Sequence, residues 1–192
     1  MSTVAIAYHS GYGHTAAVAE AVARGAASVP GVRAVLIPVE EASARLDELH
    51  GSDAIIFGAP TYMGSASAAF KAFMDGTSKQ FASRAWQDKL AAGFTVSASQ
   101  SGDKLNTLTQ LAVFAMQHGM VWVGLGLPAG NNSSKGSPDD LNQLGSFLGA
   151  MAQANADQGA EGIRASDLRT AEHLGRRVAE KAARQAVFKA AA

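Results

Sequence analysis

The sequence predicts an α/β fold, a doubly wound parallel sheet of five strands in the order 2-1-3-4-5 with helices on both faces. Three observations carry this reading. Short apolar runs alternate with segments of helical period along the chain, as right-handed βαβ crossovers require. The runs are continuously apolar, as strands covered on both faces are. About five such units fill the 192 residues, a length suited to one doubly wound domain. Residues 1–192 are therefore read as a single domain, with no internal repeat and no evident boundary.

Residues 4–8 form the first strand and run into a Gly-containing loop. A helix over residues 15–28 follows, with Val18 and Val22 at helical spacing and Ala19, Ala23 and Ala26 filling the same face. Pro30-Gly31 ends it. Residues 32–37 are the second strand and 44–49 a short helix. The third strand, 54–57, runs into Gly58-Ala59-Pro60, and a helix over 66–74 stops near Gly76. Residues 90–96 are the fourth strand, 105–117 a helix and 120–123 the fifth strand. An amphipathic helix closes the chain over 167–187, with Leu168, Ala171, Leu174 and Val178 on one side. Residues 125–164 resist assignment. Gly130-Asn131-Asn132-Ser133-Ser134 is a loop signal, and the rest reads as an insertion around the last strand.

Composition removes several function classes. The chain is 47% hydrophobic and 17% charged, with sixteen Lys+Arg balancing sixteen Asp+Glu. A formal net charge of zero argues against a nucleic-acid or acidic-membrane surface, which needs a basic excess. The absence of cysteine removes disulfides, thiol nucleophiles and Cys-ligated metal. No His/carboxylate cluster has metal spacing, and no G-x-S-x-G elbow is present. The charge-free stretch 105–134 is broken by Gln110, Gln117, His118, Gly119 and Pro128, so it lacks the span of a membrane helix. No signal peptide is recognisable, and a soluble, cytoplasmic protein is expected.

In open α/β sheets ligands sit at the carboxyl ends of the strands, and three loops there are candidates. The first is His9-Ser10-Gly11-Tyr12-Gly13-His14-Thr15. Ser10 and Thr15 offer hydroxyls, Gly11 and Gly13 allow close approach of backbone amides, and the helix start adds its dipole. A nucleoside-triphosphate loop would end in Lys-Ser/Thr, yet no Lys or Arg precedes Arg24. The dinucleotide pattern G-x-G-x-x-G is also absent. The loop suits a monophosphate held by neutral donors, with a plain βα turn as the alternative. The second loop, Gly58-Ala59-Pro60-Thr61-Tyr62-Met63-Gly64-Ser65, offers a flat aromatic and backbone groups to a planar ring, or else shapes a turn. The third, Ser97-Ala98-Ser99-Gln100-Ser101-Gly102-Asp103, is rich in small polar donors, or is an ordinary solvated loop. His118, at a helix end before Gly119, reads as a capping residue or as a catalyst.

Taken in order and spacing, these loops resemble the flavodoxin-like FMN proteins, and more closely the WrbA-type NAD(P)H:quinone oxidoreductases. The resemblance is carried by Tyr8-His9-Ser10-Gly11-Tyr12-Gly13-His14-Thr15 and Asp53-Ala54-Ile55-Ile56-Phe57-Gly58-Ala59-Pro60-Thr61. Further matches are Met63-Gly64, Phe73-Met74-Asp75, Lys89-Leu90-Ala91 and His118-Gly119-Met120-Val121. It implies a flavodoxin-like fold with FMN as cofactor and NAD(P)H as co-substrate. The phosphate would meet Ser10, Gly11, Tyr12, Gly13, His14 and Thr15. The ring would lie against Pro60, Thr61, Tyr62, Met63, Gly64 and Ser65, with Ser97, Ser99, Gln100, Ser101 and Gly102 closing the third side. His118 would be the catalytic residue at the flavin's open face, and Phe81 would wall the same substrate pocket. The implied reaction is ping-pong, with hydride passing from NAD(P)H to the flavin and then two electrons to a quinone. A homodimer or homotetramer is implied, its subunits sharing the pocket. The chain departs from the family at Tyr62 and Ser65, where Arg and Asn are common, and at Ala154-Asn155-Ala156-Asp157-Gln158, which replaces a Gly-rich patch.

Two other functions fit the same motifs. One is an electron-transfer flavodoxin, which generally has a strongly acidic surface that this balanced chain lacks. The other is an FMN-free scaffold that serves as an interaction protein. The charge-free stretches 1–19, 54–70 and 90–102 hold all three loops except for Asp103. A neutral cleft is therefore expected, in which amides and hydroxyls hold the phosphate.

Overall fold

The computed structural model describes residues 1–191; Ala192, the last residue of the single-domain reading, lies outside them. Five parallel strands carry the sheet: β1 (Ser2–Tyr8), β2 (Val32–Pro38), β3 (Ala54–Tyr62), β5 (Leu90–Ser97) and β6 (Val121–Trp122). Their order is β2-β1-β3-β5-β6, the expected doubly wound arrangement. Two additions complete it, β4 (Ser65–Ala66) beside β3 and β7 (Ala150–Gln153) beside β5. The register places Ala5 between Val35 and Ile55, and Ile56 beside Ala92.

Because side chains alternate along a strand, β1 feeds two cores. Val4 and Ile6 face α1 (His14–Ala27) and α6 (Ala165–Ala191), packing with Val18, Val22, Leu174 and Val178. Ala5 and Ala7 face the other side, which is filled by Phe57, Phe70, Trp86, Leu111 and Phe114. That second layer comes from α2 (Leu46–His50), α3 (Ala68–Gly76) and α5 (Lys104–Gln117), with Trp86 from the segment after α4 (Ser78–Ala82). Small residues on this face of β1 leave room for the aromatic rings.

Three features differ from the sequence reading. Strand β3 runs on to Tyr62 and folds back on β4, pairing Thr61 with Ala66 and Tyr62 with Ser65. Met63 and Gly64 both take positive φ, 49° and 77°, as a two-residue turn matched to strand twist requires. The expected loop after the third strand is thus a hairpin, and the next helix starts at Ala68 rather than at residue 66. Helix α4 was not anticipated by periodicity. The third difference lies at the sheet edge. β6 pairs with Leu90 and Ala91, while β7 pairs with the stretch from Phe94 to Ser97. Two segments therefore share the last strand position, and the chain between them leaves the sheet and returns. The buried Asn142 side chain ties that excursion together, donating to the carbonyls of Pro128 and Ser146 and accepting from the Ser146 amide.

Candidate flavin site

The first loop is shaped by Gly13, whose φ of +88° sets it in the left-handed region just before α1. Free of Cβ strain there, it turns the first amides of α1 outward. Among the described residues, no acceptor bonds the amides of Tyr12, Gly13, His14 or Thr15. Ser10 Oγ accepts from the Ala16 amide at 3.1 Å, bracing the loop from the helix side. Unpaired amides at a helix start, with no lysine or arginine among them, form a cradle for an anion with several oxygens.

A cavity of about 710 Å³ opens beside this cradle. Of the expected site residues, Tyr12, His14, Thr15, Pro60, Thr61, Tyr62 and Ser97 line it. The Tyr62 ring meets Tyr12 edge-on, with centroids 6.1 Å apart and planes at 69°. Burial and the neighbouring Tyr12 hold the Tyr62 phenol above its ordinary value, while the Gly11 amide works in the opposite direction. The Thr61 hydroxyl turns inward to those of Thr95 and Thr107, each at 2.8 Å.

The other expected residues are not among those that line this cavity. Met63 is fully exposed at the hairpin tip. Ser65 is drawn toward α5, where its hydroxyl donates to Gln110 Oε1 at 3.0 Å, and Asn106 Nδ2 donates to the Gly64 carbonyl at 2.7 Å. Gln100 and Ser101 face a larger, separate cavity beside the 123–149 excursion. Ser99 and Gly102 belong to the third loop, whose Ser97 and neighbouring Ala98 do reach the cleft.

Sequence reasoning missed part of the wall. Ala154, Ala156, Asp157 and Gln158, which follow β7, line the cavity together with Val96. His14 Nε2 donates to the Gln158 carbonyl at 2.8 Å and links this loop to the cradle. Because Asp157 is among the lining residues, the cleft carries a carboxylate and is not wholly neutral. The missing signal was β7 itself. Once a strand precedes residues 154–158, they fall at a strand's carboxyl end like the other three loops.

His118 and Phe81 lie together in a second groove beside α5, lined also by Lys71, Met74 and Val113. No residue of this groove lines the cleft of the same chain. His118 is buried, stacked 4.5 Å from Trp86 and edge-on to Phe114 at 4.8 Å. The Thr77 hydroxyl donates to the Met74 carbonyl, so its oxygen accepts from His118 Nε2 at 3.0 Å. That leaves Nδ1 as a buried acceptor with no partner among the described residues. Burial holds the imidazole below its ordinary pKa, which keeps it neutral at pH 7.

A family model described as NADPH-dependent FMN reductase matches residues 11–134. The chain is 44% identical over 183 residues to flavodoxin FldP of Pseudomonas aeruginosa, covering 93% of this chain and 96% of that protein. It is 34% identical to an NAD(P)H dehydrogenase (quinone) of Geobacter sulfurreducens, over 94% of this chain and 98% of that one. Among solved structures, the flavodoxin, WrbA-like protein from Agrobacterium tumefaciens is similar, with a TM-score of 0.76 at 40% identity, covering 96% and 99% of the two chains. A flavodoxin from the Archaea shares the fold, with a TM-score of 0.65 at 23% identity over 94% of this chain and 99% of that one.

Proposed function

The chain belongs to the NADPH-dependent FMN reductase family of flavodoxin-like FMN proteins, and from that premise we propose that it is an FMN-dependent NAD(P)H:quinone oxidoreductase. The observation that carries the reading is the row of unpaired amides from Tyr12 to Thr15 beside a cleft walled by Pro60 and Tyr62. Such a donor set fits a monophosphate and, among the described residues, has no partner of its own to lose. A flat wall on one side and the third loop on the other fit a planar ring attached to it.

When bound, FMN supplies acceptance of a hydride and delivery of two electrons. The protein's own residues do the rest. Amides of the first loop and the hydroxyls of Ser10 and Thr15 hold the phosphate. Pro60, Thr61, Tyr62, Met63, Gly64 and Ser65 provide one wall, the hairpin tip closing it. The third loop, residues 97–102, shapes the opposite side. In the same reading, His118 and Phe81 meet the flavin's open face from another copy, since their groove is separate from the cleft of their own chain. A homodimer or homotetramer supplies that copy. Its support is the exposed apolar row of Leu105, Val113 and Met116 on one face of α5, beside the groove. A cytoplasmic setting, where reduced nicotinamides are available, completes the reading. Among the described residues, no helix is long and apolar enough to cross a membrane.

A second reading is an electron carrier, favoured by the similarity to a protein named as a flavodoxin. Balanced charge weakens it, because no acidic excess steers docking on basic partners. One experiment separates the two. FMN titration followed by steady-state NAD(P)H oxidation with benzoquinone should show saturable flavin binding and multiple turnovers in an oligomer of measured mass. FMN binding without quinone turnover would select the carrier, and no binding at micromolar FMN would remove both.

A further inference from the structure

Lys104 opens α5 directly after the third loop, and its side chain is fully enclosed. Lysine is rarely buried unless paired. Here the ammonium donates to the Ser97 hydroxyl at 2.8 Å and to the Ser99 carbonyl at 2.6 Å. Between these two, the Ala98 carbonyl accepts from Gln153 Nε2 at 2.8 Å. Three successive residues of the loop are thus held from behind, and two of them, Ser97 and Ala98, line the cleft. The acid facing this lysine is Asp167 of α6, itself buried, which accepts from the Gln153 amide at 2.9 Å and from Gln143 Nε2 at 3.0 Å. Burial pushes the Lys104 ammonium down to about 8, against the pull of Asp167, so it remains charged at neutral pH.

We propose that Lys104 is a positioning residue of the flavin site that fixes the third loop against the cleft and, through its buried positive charge, favours reduced over oxidised FMN. This rests on the FMN reading above. Hydride from a reduced nicotinamide brings two electrons and one proton to the ring, so the ring gains one negative charge as the nicotinamide is oxidised. A fixed cation one residue behind the wall, shielded from water, interacts with that charge far more strongly than an exposed lysine would. The hydrogen bonds to Ser97 and Ser99 act equally on both oxidation states, whereas the charge does not. That difference gives the proposal a measurable signature.

The test is the midpoint potential of bound FMN, read against reference dyes, in the wild type, Lys104→Met and Lys104→Arg. Lys104→Met should weaken reduced FMN about tenfold relative to oxidised FMN, a drop of about 30 mV for a two-electron couple. Lys104→Arg, which keeps the charge, should hold the ratio within threefold. A Lys104→Met ratio within twofold of wild type would reduce the residue to a loop staple, even if overall flavin affinity fell. Should the variants not fold, the wild type answers through reciprocity. Flavin reduction should tighten proton binding at Lys104 Nζ about tenfold, followed by nitrogen NMR across a pH titration, and an unchanged titration overturns the proposal. Failure of the underlying reading looks different, because the wild type would then bind no FMN at all, and the inference would fall with it.

Discussion

In the cleft beyond β1, β3 and β5, the polar groups nearest the helix start are backbone amides without acceptors among the described residues. In the groove beside α5, the central polar group is a side chain bonded to Thr77 and enclosed by Trp86 and Phe114. The first arrangement is set by local backbone conformation, above all at Gly13, and in the proposed reading is completed by the ligand. The second is set by tertiary packing and is nearly complete without one. A backbone-built site should answer substitution through ligand affinity, and a packing-built site through stability.

The largest effect should come from Gly13→Val. A β-branched residue at φ +88° is strained by about 1–2 kcal/mol, and relief of that strain swings the orphaned amides away. Each charge-assisted bond to a phosphate contributes about 1.5–3 kcal/mol. Loss of one or two predicts an FMN affinity about 100-fold weaker by fluorescence titration, with the helical circular-dichroism signal retained. An affinity within threefold of wild type would show that the cradle does not carry the phosphate.

His118→Ala should show the opposite pattern. Removing a ring packed between Trp86 and Phe114 costs about 2–3 kcal/mol through the cavity left behind, while FMN affinity should stay within twofold. The pH dependence adds a second readout. Burial depresses the folded-state pKa of His118 below its ordinary value of 6.5, so the unfolded chain takes up the proton first. Its contribution is present above pH 6.5 and is lost as pH falls through that window toward the folded pKa. Melting temperatures from pH 7.5 to 5 should therefore fall less steeply in His118→Phe, which keeps a ring and does not titrate. A residual slope remains from His173, which burial also depresses. Equal slopes in the two proteins would mean that His118 is open to solvent.

The same contrast explains what could be read from the sequence. The cradle was legible because its determinants are local: a strand end, Gly11 and Gly13, then a helix start with no lysine. The doubly wound order was legible from the alternation of apolar runs and helical periods. The hairpin was not, since Met63 gives no turn signal and takes its positive φ from the pairing of β3 with β4. β7, Ala-Met-Ala-Gln, has no strand pattern of its own and becomes one by pairing with β5. With β7 hidden, residues 154–158 could not be placed at a carboxyl end, and Asp157 was missed as a wall residue. Lys104 was passed over for the same reason. A lysine beginning a helix reads as solvated, and its burial follows only once the third loop folds over it. Non-local placement, rather than residue chemistry, is what the sequence withheld.

The smallest change probes the boundary between the two kinds of site. Tyr62 is a side chain in a cleft otherwise defined by backbone, half-exposed, with its edge on Tyr12 and its hydroxyl beside Gly11. Tyr62→Phe keeps the ring and the edge contact but removes the hydroxyl from the cradle. A single partly solvated hydrogen bond contributes about 0.5–1 kcal/mol, so stability should fall by about that much, with FMN affinity within twofold of wild type. Because the Gly11 amide lies before α1, its loss of a partner leaves one more donor free, which offsets part of that cost once a phosphate is present. A tenfold loss in the same titration would make the hydroxyl a ligand contact in its own right. The cleft would then depend on side-chain placement as the groove does, and the line between the two regions would run through Tyr62 rather than between them.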